Sequence, residues 1–308
     1  MCGIFGYIGK IPAEHQKAAF AFLTQLAIET QRRGNHAAGF AALDKNGAIS
    51  GLKYAGPMTD LIKYESMFKE LAKELPDIFI GHTRWATTGP ASIPKNNHPF
   101  YQDDWTIVHN GHISGWYGLA QKHKFKMESD TDSEVIVHLL ASEKNHIQGV
   151  KKVFHECDTT DWGGFSVAAI QESQKRLHLF RNDAYPMVIF HVPAWNTLWF
   201  ASVQEIVFDA MEKKGFTEDF QIKDLSSYLL LTIDLDLTNR QARIADKPVK
   251  KAALPTKVCS SVVTAKTQMV KAAESRLKQW TEAEWREFYE WMYNKQNYEK
   301  DKNPIEKK

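Results

Sequence analysis

Short apolar runs rich in Ile, Phe, Val and Leu recur along the chain, and most are joined to the next by turn-type residues. Residues 3–9 (GIFGYIG), 39–44 (GFAALD), 78–86 (IFIGHTRWA) and 105–113 (WTIVHNGHI) read as strands, as do GGFSVAAIQ, LHLFRN, MVIFHV, LWFASV and YLLLTIDLD. Asp44 to Gly47 (DKNG) reads as a hairpin turn. Helical spacing marks fewer segments: 16–32, 60–75, Thr131 to Ser142, and a short stretch after Gly149. Strands and helices therefore alternate irregularly, with hairpins in place of strict βαβ units. That order predicts an α+β class, with stacked, largely antiparallel sheets covered by helices.

A chain of 308 residues, 43% of them hydrophobic, can bury a core without staples, as one large domain or two small ones. Its 39 basic and 37 acidic residues leave a net charge of +2, so nothing calls for nucleic acid or an anionic membrane. Cys2, Cys157 and Cys259 are widely scattered, with neither metal-ligand spacing nor a disulfide framework. A reducing compartment, and so a cytoplasmic location, is expected. The N-terminal MCGIFGYIGKIPAEHQK lacks a basic leader, and no run approaches the roughly 20 apolar residues of a spanning helix.

The character changes near Lys247, so residues 2–246 are expected to form one domain and 247–308 a basic linker, an aromatic helix over about 282–296 and a disordered tail. Thr281 and Glu284 match a capping box, and Trp280 and Trp285 a hydrophobic staple. One face of this helix is expected to pack on the body. Aromatics on its other faces leave contact with a partner open.

Four spots carry reactive or recognition chemistry. Cys2 is followed by glycines and a strand. Initiator methionine is normally removed before a small residue, which would leave Cys2 with a thiol and a free α-amine titrating near ~8. Such an amine can activate its own side chain. A chance cysteine is the plainer reading. Arg84, in GHTRWATTG, suits a two-pronged grip on a carboxylate, with Thr87 as a further donor; a surface arginine beside a structural Trp85 is equally open. Asn110 and Gly111, in HNG, suit an oxyanion hole or a simple Asn-Gly turn. In SDTDSE, Asp130 and Asp132 are candidates for an α-ammonium or for capping the next helix.

In their order, MCGIFGYIG, RRGNHAAGF, GHTRWATTG, NNHPF, VHNGHI and SDTDSEVIVHL resemble successive motifs of the class II (Ntn-type) glutamine amidotransferases, and most of all the glutaminase domain of glucosamine-fructose-6-phosphate aminotransferase. GGFSVAAI, LHLFRND and LWFASV extend the likeness over roughly residues 2–240. The resemblance implies an Ntn-hydrolase αββα four-layer sandwich that releases ammonia from L-glutamine with no metal or organic cofactor. It makes Cys2 the nucleophile and Asn110 and Gly111 the oxyanion hole. It places Arg84, Trp85, Thr87, His98 and Asp132 around the substrate, and Arg33 and Gly34 in support. Asn35, His36 and Ala37 stand where the family often has Tyr-Asp-Ser, and Thr88 replaces a histidine of the sugar-aminating branch. The roughly 60 residues after the likeness are too few for an isomerase domain. A separate synthase accepting the ammonia is therefore expected. A stand-alone amide or γ-glutamyl hydrolase, and a non-catalytic binding protein on the same scaffold, are the alternatives.

Overall fold

The computed structural model describes residues 1–158 and 163–237 and the backbone of 239–243. The chain divides into units Met1–Ala245 and Asp246–Lys308, and all that follows concerns the first. The linker, aromatic helix and tail expected over 247–308 lie outside the described residues.

Along the chain come β1 (Gly3–Gly9), α1 (Gln16–Thr30), β2 (Ala37–Leu43), β3 (Ile49–Tyr54), α2 (Met58–Tyr64), α3 (Ser66–Glu70) and β4 (Ile78–Arg84). Then follow β5 (Phe100–Gln102), β6 (Trp105–His112), α4 (Trp116–His123), α5 (Glu134–Ala141) and α6 (His146–Cys157). The rest are β7 (Gly164–Gln171), β8 (Arg176–Arg181), β9 (Val188–Val192), β10 (Thr197–Ala201), α7 (Gln204–Lys214), β11 (Gln221–Asp224), β12 (Leu229–Ile233) and β13 (Asn239–Arg243).

The strands form two sheets with antiparallel pairing throughout: β11-β9-β10-β1-β4-β2-β3 and β13-β12-β8-β7-β6-β5. β4 and β1 of the first lie against β6 of the second. Strands buried on both faces carry no polar alternation, which explains why β1, β2 and β4 are buried at every position. On α1, Ala19, Phe22, Leu23, Leu26, Ala27 and Thr30 are buried at helical spacing. Phe22 meets Trp199 edge-on at 5.1 Å, so α1 covers the outer face of the first sheet, with α7 beside it. On the second sheet, Val135, Leu139, Val150 and Phe154 of α5 and α6 join Ile107, Phe165 and Phe180 in one cluster. The result is the four-layer αββα sandwich expected.

The turn at Asp44 also forms as expected, its Oδ1 accepting the N–H groups of Asn46 and Ala48 at 2.8 Å. The single helix expected over 60–75 does not form. Glu65 is extended (φ −85°, ψ 121°), and α2 ends there before α3 starts. Met58, Leu61 and Phe68 are buried from both pieces, so the break lets two short helices follow the curve of the core.

Candidate active site

Cys2 precedes β1, which runs through the middle of its sheet between β10 and β4. Ser202 clamps the start of this strand: its Oγ accepts the Ile4 N–H at 2.8 Å, and its own N–H donates to the Ile4 carbonyl at 3.0 Å. The Cys2 carbonyl accepts Arg33 Nε–H at 2.7 Å. The Cys2 Sγ accepts the Trp85 N–H at 3.4 Å and lies 3.6 Å from the Trp85 carbonyl oxygen. Gly34 makes this approach possible, because a Cβ there would come within 2.4 Å of the backbone of Arg84 and Trp85. Burial pushes the Cys2 thiol above its ordinary value; the Trp85 N–H, the Met1 ammonium and Arg84 pull it back, and Asp132 adds to the rise.

Arg84 ends β4 and is buried. Its Nη1 donates to Asn97 Oδ1 at 2.7 Å, and its Nη2 to the carbonyls of Thr88 and Gly89. Asn97 Nδ2 donates to the Ala91 carbonyl at 2.8 Å, so one side chain holds both the guanidinium and the loop beyond it. Asn96 ties the same loop to the acidic one: its Oδ1 accepts the Asp130 N–H at 2.9 Å, and its carbonyl accepts Thr131 Oγ–H at 3.0 Å. Trp85 is half-exposed and Thr87 exposed. His36 stacks on the Trp85 ring at 4.4 Å, and its Nδ1 accepts the Ala86 N–H at 3.1 Å. His36 thus supplies an acceptor where the family often carries an aspartate. Asn96 and Asn97 of NNHPF, and His36, have no role assignable from sequence alone, because partners 6 to 50 positions away leave no local pattern.

Asn110 and Gly111 lie on β6 opposite Ser166 and Phe165 of β7. Both amide atoms of Asn110 are buried and, among the described residues, have no hydrogen-bond partner. A Cβ on Gly111 would come within 2.1 Å of the Gly164 carbonyl oxygen, so only glycine fits. Beneath them sit His82, His98 and His109, all buried. His82 Nε2 lies 3.1 Å from the His109 carbonyl oxygen and bridges the two sheets. His98 stacks on His82 at 3.8 Å, and among the described residues neither of its ring nitrogens has a hydrogen-bond partner. Burial drives His82 and His98 well below the usual histidine range and takes His109 to about 4.

Asp132 is buried just ahead of α5, and it is not a cap: α5 has no side-chain cap hydrogen bond. Its Oδ2 instead accepts the Ile113 N–H at 2.7 Å and lies 3.4 Å from His112 Nδ1. Burial raises this carboxyl, but the bond to His112, the neighbouring His109 and the Ile113 N–H outweigh it, and the net shift is downward. Asp130, the other candidate, is exposed. Asp132 and Arg84 both act on Cys2 through space, so the thiol feels charges of both signs. Tyr185, in the loop after β8, joins them: burial raises its phenol, and Cys2 and Asp132 raise it further. Among the described residues no helix is long and apolar enough to cross a membrane.

A sequence profile of the glutamine amidotransferase domain family matches residues 82–209. The chain is 32% identical over 196 residues to the isomerizing glutamine–fructose-6-phosphate aminotransferase of Sulfolobus acidocaldarius, covering 61% of this chain and 31% of that protein. With the enzyme of the same name from Bacillus subtilis it is 26% identical over 255 residues, covering 80% and 40%. The first curated relatives are thus spanned over about 30% of their length. Among solved structures, the glutamine phosphoribosylpyrophosphate amidotransferase of B. subtilis superposes with a TM-score of 0.60 at 20% identity, covering 79% of this chain and 49% of that one. A structure described as the allosteric regulatory enzyme of purine biosynthesis superposes with a TM-score of 0.59 at 21% identity, over the same shares. Sheet order, motif order and these likenesses agree, and the chain is similar to the class II, Ntn-type glutamine amidotransferases.

Proposed function

We propose that the domain hydrolyses L-glutamine to glutamate and ammonia through a thioester on Cys2, after removal of Met1. The observation that carries this reading is the setting of the Cys2 sulfur: held by the Trp85 N–H at a strand end, within electrostatic reach of both Arg84 and Asp132. Such a pair of charges suits a free α-amino acid. Arg84 takes the α-carboxylate with its remaining N–H groups, Thr87 adds a donor beside Trp85, and Asp132 takes the α-ammonium. His98 supports the strand behind Arg84.

A thiol with a raised pKa needs a base. With Met1 gone, the α-amine of Cys2 itself titrates near ~8 and serves, directly or through water. The thiolate attacks the amide carbon, and the proton taken by the amine goes to the leaving nitrogen, which departs as ammonia. Asn110 Nδ2 and the Gly111 N–H hold the oxyanion, each such donor typically contributing about 3–4 kcal/mol. An unpartnered buried amide at Asn110 supports this, since burial without a partner is costly unless a ligand supplies one. Water then resolves the thioester to glutamate. The relatives' names are those of transferases, which favours delivery of the ammonia to a separate acceptor enzyme over its release.

Ammonia release by Cys2→Ala against the unaltered protein tests the mechanism. The expected loss is on the order of 10³-fold or more, with an unchanged far-UV circular dichroism spectrum. Appreciable turnover by Cys2→Ala, or an active protein whose mass retains Met1, would refute it.

A further inference from the structure

Asp132 has a neighbour that binding an amino acid does not require. The His112 ring faces its Oδ2 at 3.4 Å, with 40% of the His112 side chain exposed against 5% for Asp132. A solvent-reachable imidazole thus stands at the rim over a buried carboxylate. The other titratable groups that act on the pair are His109 on β6, Arg84 at the end of β4, Cys2 ahead of β1, Cys157 at the end of α6 and Tyr185 after β8. The Arg84 terminal nitrogens are engaged by Asn97, Thr88 and Gly89. Among the described residues, His112 is the cation-forming side chain within ion-pair distance of Asp132. An imidazolium there and a substrate ammonium would share one buried carboxylate, and two such cations repel.

We propose that His112 is a specificity-determining residue of the glutamine site: protonated, it occupies Asp132, and neutral, it yields that carboxylate to the α-ammonium of the substrate. This rests on the assignment of the ammonium to Asp132 made above. The bond to Asp132 holds His112 above the usual histidine value. A bound ammonium cancels that attraction, so binding expels a proton. Apparent affinity then weakens as pH falls below the His112 titration, approaching tenfold per pH unit. A purely structural His112, donating a neutral hydrogen bond to Asp132, gives no such dependence.

Calorimetric titration of Cys2→Ala protein with L-glutamine, in buffers of differing ionisation heat at about pH 6 and about pH 8, reads the linkage directly. Proton release and at least about threefold weaker binding are expected at the lower pH. Adding His112→Gln is expected to remove both. Flat affinity in the parent, or an unaltered pH dependence with His112→Gln, overturns the proposal. Should that variant fail to fold, NMR titration of the His112 ring in the parent decides: its pKa must fall on adding glutamine, and an unmoved pKa overturns the proposal. Asp132→Asn tests the underlying assignment separately. It is expected to lose glutamine binding, and binding at parental strength would remove Asp132 from the ammonium site whatever His112 does.

Discussion

Asn97 shows how one side chain can govern a site without touching its substrate. Its amide oxygen orients Arg84 and its amide nitrogen pins the Ala91 carbonyl. Asn97→Ala would leave a buried guanidinium N–H without its partner, a loss worth about 1–3 kcal/mol. The expected result is a KM for glutamine raised about tenfold or more, with a smaller change in kcat. Steady-state kinetics check this, and an unchanged KM would mean that Thr88 and Gly89 hold the fork alone. At this scale the sequence identified residue types well and partners poorly. Asp132 was open between capping and ligand binding until its bond to Ile113, 19 positions away, excluded capping. His112 was read only as part of a strand, because what distinguishes it is a contact across a loop rather than a spacing.

Among the elements, α1 is the most exposed to a single change. Phe22 meets Trp195 at 5.8 Å, Trp199 at 5.1 Å and Phe216 at 5.2 Å, so its ring is the peg between helix and sheet. Phe22→Ala is expected to cost about 3–5 kcal/mol, measurable as a lower urea midpoint. A cost below about 1 kcal/mol would mean that the aromatic cluster closes over the gap. Central strands such as β1 and β7 were legible because burial on both faces demands continuous apolar runs. Edge strands β3 and β11 were not: ISGLKY and QIKD are half solvated and mix polar with apolar residues. Helix α4 is eight residues long with only Leu119 and Ala120 buried, too short for a helical period to stand out. The burial of Ile206, Val207, Ala210 and Met211 on α7 does follow that period.

For the whole molecule, the buried histidines set an acid limit. His82, His98, His109 and His178 are enclosed and held neutral, with folded pKa values below the usual one. The unfolded chain takes up their protons below about 6.5 while the folded chain does not, so stability falls as pH drops; for His109 the fall continues to about 4. Each contributes on the order of 1 kcal/mol between about pH 7 and 5.5, several kcal/mol together. Glu134, which burial would raise but which its bonds to His138, Glu128 and Ser129 draw down to about 2, loses its contribution as pH falls from the ordinary carboxylate value toward about 2. Urea midpoints at these two pH values check the prediction, and equal midpoints would refute it. The bond between Ser202 and Ile4 spans 198 positions, and β1 has β10 as one of its two neighbours. The ribosome therefore delivers Cys2 about 200 residues ahead of β10, and its strand gains its second flank only once residue 201 has emerged. Nascent chains arrested short of that point should leave the thiol open to alkylating reagents, so the earliest-made part of the site is among the last to be enclosed.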